Sequence, residues 1–202
     1  IAYYEEGESI ISDDDVPEYN REMFGTLISS FLDYCISGNT NDAYNLLSDD
    51  CKEELFPHVE DFENLYRSKN FSTSKTYTFQ SWTSQTTNIY QVKIFDNSLY
   101  TGNASFDDYI EDYFNIVYEN GQAKLNISGF VKVEDINKST TVNNVQIQVN
   151  KIHYFMDYCT ADIVIQNSSD KTILIDTMEK TNTVFMQSSN NNTKLIGFLS
   201  DF

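Results

Sequence analysis

Near residue 75 the spacing of apolar side chains changes from helical to extended, and this one switch restricts the chain to folds in which a helical segment precedes an antiparallel sheet. Upstream, Phe24, Leu27, Ile28, Phe31 and Cys35 recur at intervals of three and four. They predict an apolar stripe on a helix of about five turns. Pro17 suits the first turn of that helix, with Asp15 before it as a cap, and Ser37-Gly38-Asn39 ends it. Ala43, Leu46 and Leu47 mark a second helical piece, and Asp50 with Glu53 has capping-box spacing for a short third turn over Leu55 and Phe56. Pro57 then opens a helix with Val59, Phe62 and Tyr66 on one face.

Beyond the switch, Tyr77 and Phe79 alternate with polar residues, as do Tyr90, Val92 and Ile94. Ile110, Phe114, Ile116 and Tyr118 share one side of a third strand. Asn120-Gly121 follows at once, with Leu125, Ile127 and Val131 alternating after it, which is a strong hairpin signal. Residues 17–136 therefore predict an α+β domain in which three N-terminal helices pack on one face of a curved, four-stranded antiparallel sheet.

Charge separates this segment from the rest. Residues 1–136 hold 25 acidic and 8 basic side chains, whereas residues 137–202 hold 6 and 5, so -17 of the net -18 belongs to the first part. The polar stretch Glu134-Asp135-Ile136-Asn137-Lys138-Ser139-Thr140-Thr141 reads as a linker. After it, Val145 to Val149, Ala161 to Ile165, Ile173 with Ile175, Val184 with Met186, and Leu195 to Leu199 predict five short strands. Asn167-Ser168-Ser169-Asp170 reads as a turn and residues 188–193 as a polar tip. Residues 140–202 are expected to form a small all-β sandwich, truncated or completed by another element. Residues 1–16 read as an acidic linker or the remnant of a processed N-terminus.

The same counts exclude several functions. A net charge of -18 repels phosphate backbones and anionic lipid, so no nucleic acid is expected as a partner. With 14 Tyr and 14 Phe the chain is too apolar for a disordered acidic tail. No apolar run approaches the ~18 residues a membrane-spanning helix needs.

Chemistry-bearing residues are sparse. Three cysteines with no Cys-x-x-Cys pair argue against a zinc site and a disulfide scaffold. Cys35, on the first apolar stripe, and Cys51, opening the third helical turn, are candidates for a disulfide or for buried thiols, and Cys159 for a core residue. His58 suits a capping or surface position and His153 a strand, and neither neighbours a nucleophile with an orienting partner. Asp13-Asp14-Asp15 and Asp49-Asp50 offer the oxygen chemistry calcium prefers but lack the loop that would converge it. No catalytic, cofactor or metal site is expected.

The stretch Phe31-Leu32-Asp33-Tyr34-Cys35-Ile36-Ser37-Gly38-Asn39, then Asp42-Ala43-Tyr44-Asn45-Leu46-Leu47-Ser48, Cys51-Lys52-Glu53-Glu54-Leu55-Phe56 and Phe62, resembles the helical half of nuclear-transport-factor-like cone domains. The resemblance covers roughly residues 20–132 and is nearest to bacterial extracytoplasmic members, including those attached to conjugative-transfer machinery. That fold hosts enzymes, transport adaptors and envelope proteins, so it implies architecture more than chemistry. In its enzymes a general acid or base occupies the pocket between helix and sheet. Here that implies a lining of Phe31, Tyr34, Tyr77, Trp82, Tyr90 and Asp112, with Asp33 as a second inward carboxylate. A buried carboxylate of raised pKa there would favour an enzyme. The Ile163-x-Ile165-x-Asn167-x-Ser169 strand end, with the aromatic-Asp-aromatic segment before it, resembles immunoglobulin-like modules of Gram-positive surface proteins. Together the resemblances imply a non-catalytic, extracytoplasmic domain pair of a membrane- or wall-anchored protein or lipoprotein, binding another envelope protein or a cell-wall component. The alternative is a small-molecule binder or enzyme using the cone cavity.

Overall fold

The structure is a computed structural model that describes residues 3–4, 18–84, 87–97, 109–173, 184–187 and 194–197. Asp13-Asp14-Asp15, Pro17, Ile175, the tip at 188–193 and Leu199 lie outside the described residues.

Helix α1 (Glu18–Ser37) buries the expected stripe, with Phe24, Ile28, Phe31 and Cys35 fully enclosed and Leu32 added to it. It ends in a Schellman motif: Asn39 N–H donates to Tyr34 O at 2.9 Å and Gly38 takes φ 79°, which a side chain would strain. Short helices follow as α2 (Thr40–Asn45) and α3 (Asp49–Leu55). The cap of α3 is Ser48, whose Oγ accepts from Cys51 N–H at 2.9 Å, rather than the expected Asp50 box. The single helix expected after Pro57 is α4 (Val59–Phe62), a π-helical turn (Glu63–Arg67) and α5 (Ser68–Asn70). Within it Glu63 gathers Arg67, the Ser68 hydroxyl at 2.6 Å and the Thr40 hydroxyl at 2.5 Å, which pins this run to α2. These donors, Arg67 foremost, hold the Glu63 carboxyl down at about 2.

A five-stranded sheet runs in the order β1-β2-β3-β4-β5: β1 (Tyr3–Tyr4), β2 (Lys75–Ser84), β3 (Thr87–Asp96), β4 (Tyr109–Glu119) and β5 (Gln122–Asn126). Strands β2 to β5 form the expected antiparallel meander, and β1 adds a parallel edge on Thr78 and Phe79. Positive φ at Asn120 (51°) and Gly121 (78°) gives the β4–β5 turn its primed geometry. One face carries Tyr77, Phe79, Tyr90, Val92, Ile94, Phe114, Ile116 and Leu125 into the helices. The α2–α3 junction is hydrogen-bonded onto β5: Ser48 N–H donates to Leu125 O at 2.9 Å, and Leu125 N–H to Leu46 O at 3.0 Å.

Two expectations fail beyond this point. The alternation from Leu125 to Val131 is not one strand, because Ser128 (φ 58°) and Gly129 (φ 68°) turn the chain out of the first sheet. The stretch expected as a linker is strand: β6 (Phe130–Val142) contains all of Glu134 to Thr141. Its outer half is exposed on both faces, so no apolar alternation marked it. β6 joins β7 (Val145–Phe155) through an Asn143-Asn144 turn with φ 50° and 63°, and β8 (Cys159–Asn167) completes a sheet ordered β6-β7-β8. The expected turn after it is present, with Asn167 Oδ1 accepting from Ser169 N–H at 3.0 Å. β9 (Val184–Gln187) and β10 (Lys194–Gly197) form an antiparallel pair.

The fold is thus α+β, with N-terminal helices followed by antiparallel sheets. The chain separates into two units, 1–136 with 151–161, and 137–150 with 162–202. The boundary is therefore crossed three times, within strands β6, β7 and β8 in turn.

Candidate functional site

The helices and the inward sheet face of the first unit meet through aromatic rings. Phe31 sits edge-on to Phe114 with centroids 5.4 Å apart, and Phe62 stacks on Tyr66 at 5.6 Å. Tyr90 lies within 6.4 Å of both Phe24 and Phe79. The space expected to be a cone pocket is therefore packed by side chains at this level.

Of the expected lining residues, Phe31, Tyr77, Tyr90 and Asp112 are buried in this interior, and Tyr34 packs half-buried against it. Trp82 is not with them. It follows the inward positions Tyr77 and Phe79 at odd spacing, so the pleat turns it outward. It is 45 % exposed and stands edge-on to Tyr113 at 6.1 Å. Asp33 is likewise at the surface, where it accepts the Tyr77 hydroxyl at 2.9 Å.

Asp112 is the inward carboxylate. Its Oδ2 accepts the Tyr66 hydroxyl at 2.8 Å and its Oδ1 the Tyr113 backbone N–H at 2.7 Å. Burial raises its pKa from the ordinary 3.8 to about 6, against the pull of those donors and the Ser128 and Gly129 backbone. Burial also drives the Tyr66 hydroxyl well above its usual value, and the adjacent Asp112 charge adds to it.

A cavity of about 410 Å³ opens beside Asp112, wholly within the first unit. Strand β4 makes room for it, because its pairing with β5 begins only at Asn115 and leaves Ile110 to Tyr113 beyond the end of that ladder. The turn at Ser128-Gly129 closes one side, with Gly129 N–H donating to Tyr113 O at 3.1 Å. The β7–β8 turn closes another, where Phe155 and Tyr158 stack at 4.6 Å and 12°. Gly129 takes φ 68°, which a side chain would strain, and Met156 N–H donates to Gly129 O at 2.9 Å, joining the two turns.

The β7–β8 turn and the Ser128-Gly129 turn are the parts of this site that sequence reasoning missed. The Ser-Gly pair within an apparently continuous alternation was the available signal.

The remaining candidates resolve more simply. Cys35 and Cys51 are separate buried thiols, both made harder to ionise by burial, Cys51 up to about 12. Cys159 is also a free thiol, half-buried in β8. His58 caps α4, its backbone N–H donating to the Asp61 carboxylate at 3.1 Å. His153 Nε2 lies 2.7 Å from Glu54 Oε2, and Lys151 reaches the other oxygen of that carboxylate. Among the described residues, no cluster of three or more His, Cys, Asp or Glu side chains could hold a metal ion. Nor is any described helix long and apolar enough to cross a membrane.

No family model matches the chain, and no curated protein or solved structure matches it.

Proposed function

We propose that the chain is a non-catalytic, extracytoplasmic domain pair of an anchored bacterial protein, with a nuclear-transport-factor-like cone domain followed by an immunoglobulin-like sandwich. It acts through its surfaces on another envelope protein or a cell-wall component. The observation that carries this reading is the filled interior of the first unit. Where an enzyme of the cone type holds its substrate, Phe31, Phe62, Tyr90 and Phe114 pack against one another and their neighbours. The second unit adds exposed apolar side chains on strands, Val142, Ile147 and Val164, suited to pairing with a partner. Fractionation of the native host tests the location: full-length protein free in the cytosol overturns the proposal. Pull-down from solubilised envelope tests the partner, and an electrostatic partner dissociates as salt rises through about 0.5 M.

A second reading, ligand binding in the first unit, is favoured by one observation, the cavity at Asp112. At about 410 Å³ it falls in the size range of small-molecule sites.

A further inference from the structure

We propose that the cavity beside Asp112 binds an organic ammonium group carried on a short apolar stem. The inference rests on the ligand-binding reading of that cavity and names the chemistry of its occupant. Glu111, Asp112 and Asp157 are among the residues that line the cavity, with the Glu111 carboxylate accepting the Tyr113 hydroxyl at 2.8 Å, and no Lys, Arg or His is among its described lining residues. Among the described residues no cationic side chain forms an ion pair with any of the three. The contacts that Asp112 does make are with neutral donors, Tyr66 and the backbone of Tyr113, Ser128 and Gly129. Its charge is thus hydrogen-bonded but not neutralised, and burial makes that costly.

The walls decide which cation fits. A metal ion would need several oxygen ligands converging at short range, and the carboxylates here do not cluster in that way. Phe155 and Tyr158, stacked on each other, instead make part of the wall aromatic, and the negative quadrupole of an aromatic ring attracts a diffuse organic cation. Phe155 stands edge-on to Phe130 at 5.6 Å and stacks on Tyr158 at 4.6 Å, while Tyr158 is 58 % exposed at the rim. An alkylammonium enters with its stem along these rings and its head toward Asp112. Such a group occurs on a free amine and on a lysine side chain, and the site reads the feature common to both.

Protonation of Asp112 should compete with the ligand. The other titratable groups facing it are Tyr66 from the π-helical turn and Cys51 from α3, both kept protonated well above neutral pH by burial. Glu111, Tyr113, Asp157 and Tyr158 face the cavity from β4 and the β7–β8 turn.

The test is titration of the full chain, followed by amide and tyrosine-ring NMR shifts, with pentylammonium, 1-pentanol and N-acetyl-lysine methylamide. Pentylammonium should give saturable shifts around Tyr113 and Tyr158, at least about tenfold tighter than pentanol. Affinity should fall about tenfold from pH 7.5 to pH 5, and Asp112→Asn should remove that dependence and most of the preference for the cation. Tyr158→Ala, at the exposed rim, should weaken binding about threefold or more. Equal affinity for lysine amide and pentylammonium supports a lysine-bearing partner, and preference for pentylammonium supports a free amine. Equal binding of pentanol overturns the ammonium assignment while leaving a ligand cavity. No saturable shift with any probe up to about 20 mM, a limit weaker than any useful site, overturns both.

Discussion

Asp112 and Tyr66 face each other across the helix–sheet seam at 2.8 Å, and protonation of Asp112 contributes to how stability varies with pH. The folded protein binds the Asp112 proton more tightly than the unfolded chain does, since burial lifts its pKa from 3.8 to about 6. Its contribution to stability is therefore full below about 3.8 and is lost as pH rises through about 6. Relative to Asp112→Asn, the native protein should gain about 1 kcal/mol between pH 7 and pH 5, read by urea denaturation at both values. Tyr66→Phe removes a donor to the carboxylate, so the Asp112 pKa should rise further and stability at pH 7 should fall by about 1–3 kcal/mol. A carboxyl NMR titration of that variant measures the first effect directly. Burial likewise separates two residues expected to be equivalent. Phe31→Ala empties a fully enclosed site and should cost about 3–5 kcal/mol, whereas Trp82→Ala, on the outward face, should cost under about 1 kcal/mol. Thermal or urea midpoints of the two variants check this, and comparable losses would contradict the facing of β2.

At the scale of elements, two junctions between helices and strands depend on single polar side chains. Ser48 caps α3 and also donates through Oγ to Asn126 Oδ1, and its backbone is tied to Leu125. Ser48→Ala should cost about 1–2 kcal/mol, with hydrogen exchange increasing at the start of α3 and at Leu125. Glu54 on α3 takes both Lys151 and His153 of β7. Burial alone would raise its carboxyl, but these hydrogen bonds and charges outweigh burial and hold it below the usual range. Its stabilisation is present above the unfolded glutamate pKa and disappears as pH falls through the lower folded value. Glu54→Gln should thus cost about 1 kcal/mol at pH 7 and progressively less as pH falls below the unfolded glutamate range. The elements themselves were largely legible. The α1 stripe and the Asn120-Gly121 hairpin are local patterns, written by one buried face and by one turn's need for positive φ. The outer part of β6 was not legible, because a strand exposed on both faces carries no period in its apolar residues. The π-helical turn at Glu63–Arg67 was equally hidden, since it is selected by the Arg67, Ser68 and Thr40 contacts to Glu63.

Across the whole molecule, charge is distributed by unit. With Lys151 and Asp157 counted in the first unit it carries 26 acidic and 9 basic side chains, or -17, and the second carries 5 and 4, or -1. Self-repulsion of this size opposes compaction, and salt screens it over about 8–10 Å. Raising salt from about 0.02 M to 0.5 M should lift the melting transition by about 2–4 °C, the response expected of a gain near 1 kcal/mol. An unchanged or lowered transition would show that the acidic side chains are already compensated. The sequence by itself determined the helix-then-sheet order, the facing of Tyr77, Tyr90 and Asp112, and the concentration of charge before residue 137, all of which are properties of neighbours along the chain. Only the tertiary structure decided that residues 151–161 return to the first unit, that the interior is filled, and that the cavity lies at the end of the β4–β5 ladder. Those features depend on segments far apart in the chain meeting in space, and no periodicity within any one segment records which partner it will meet.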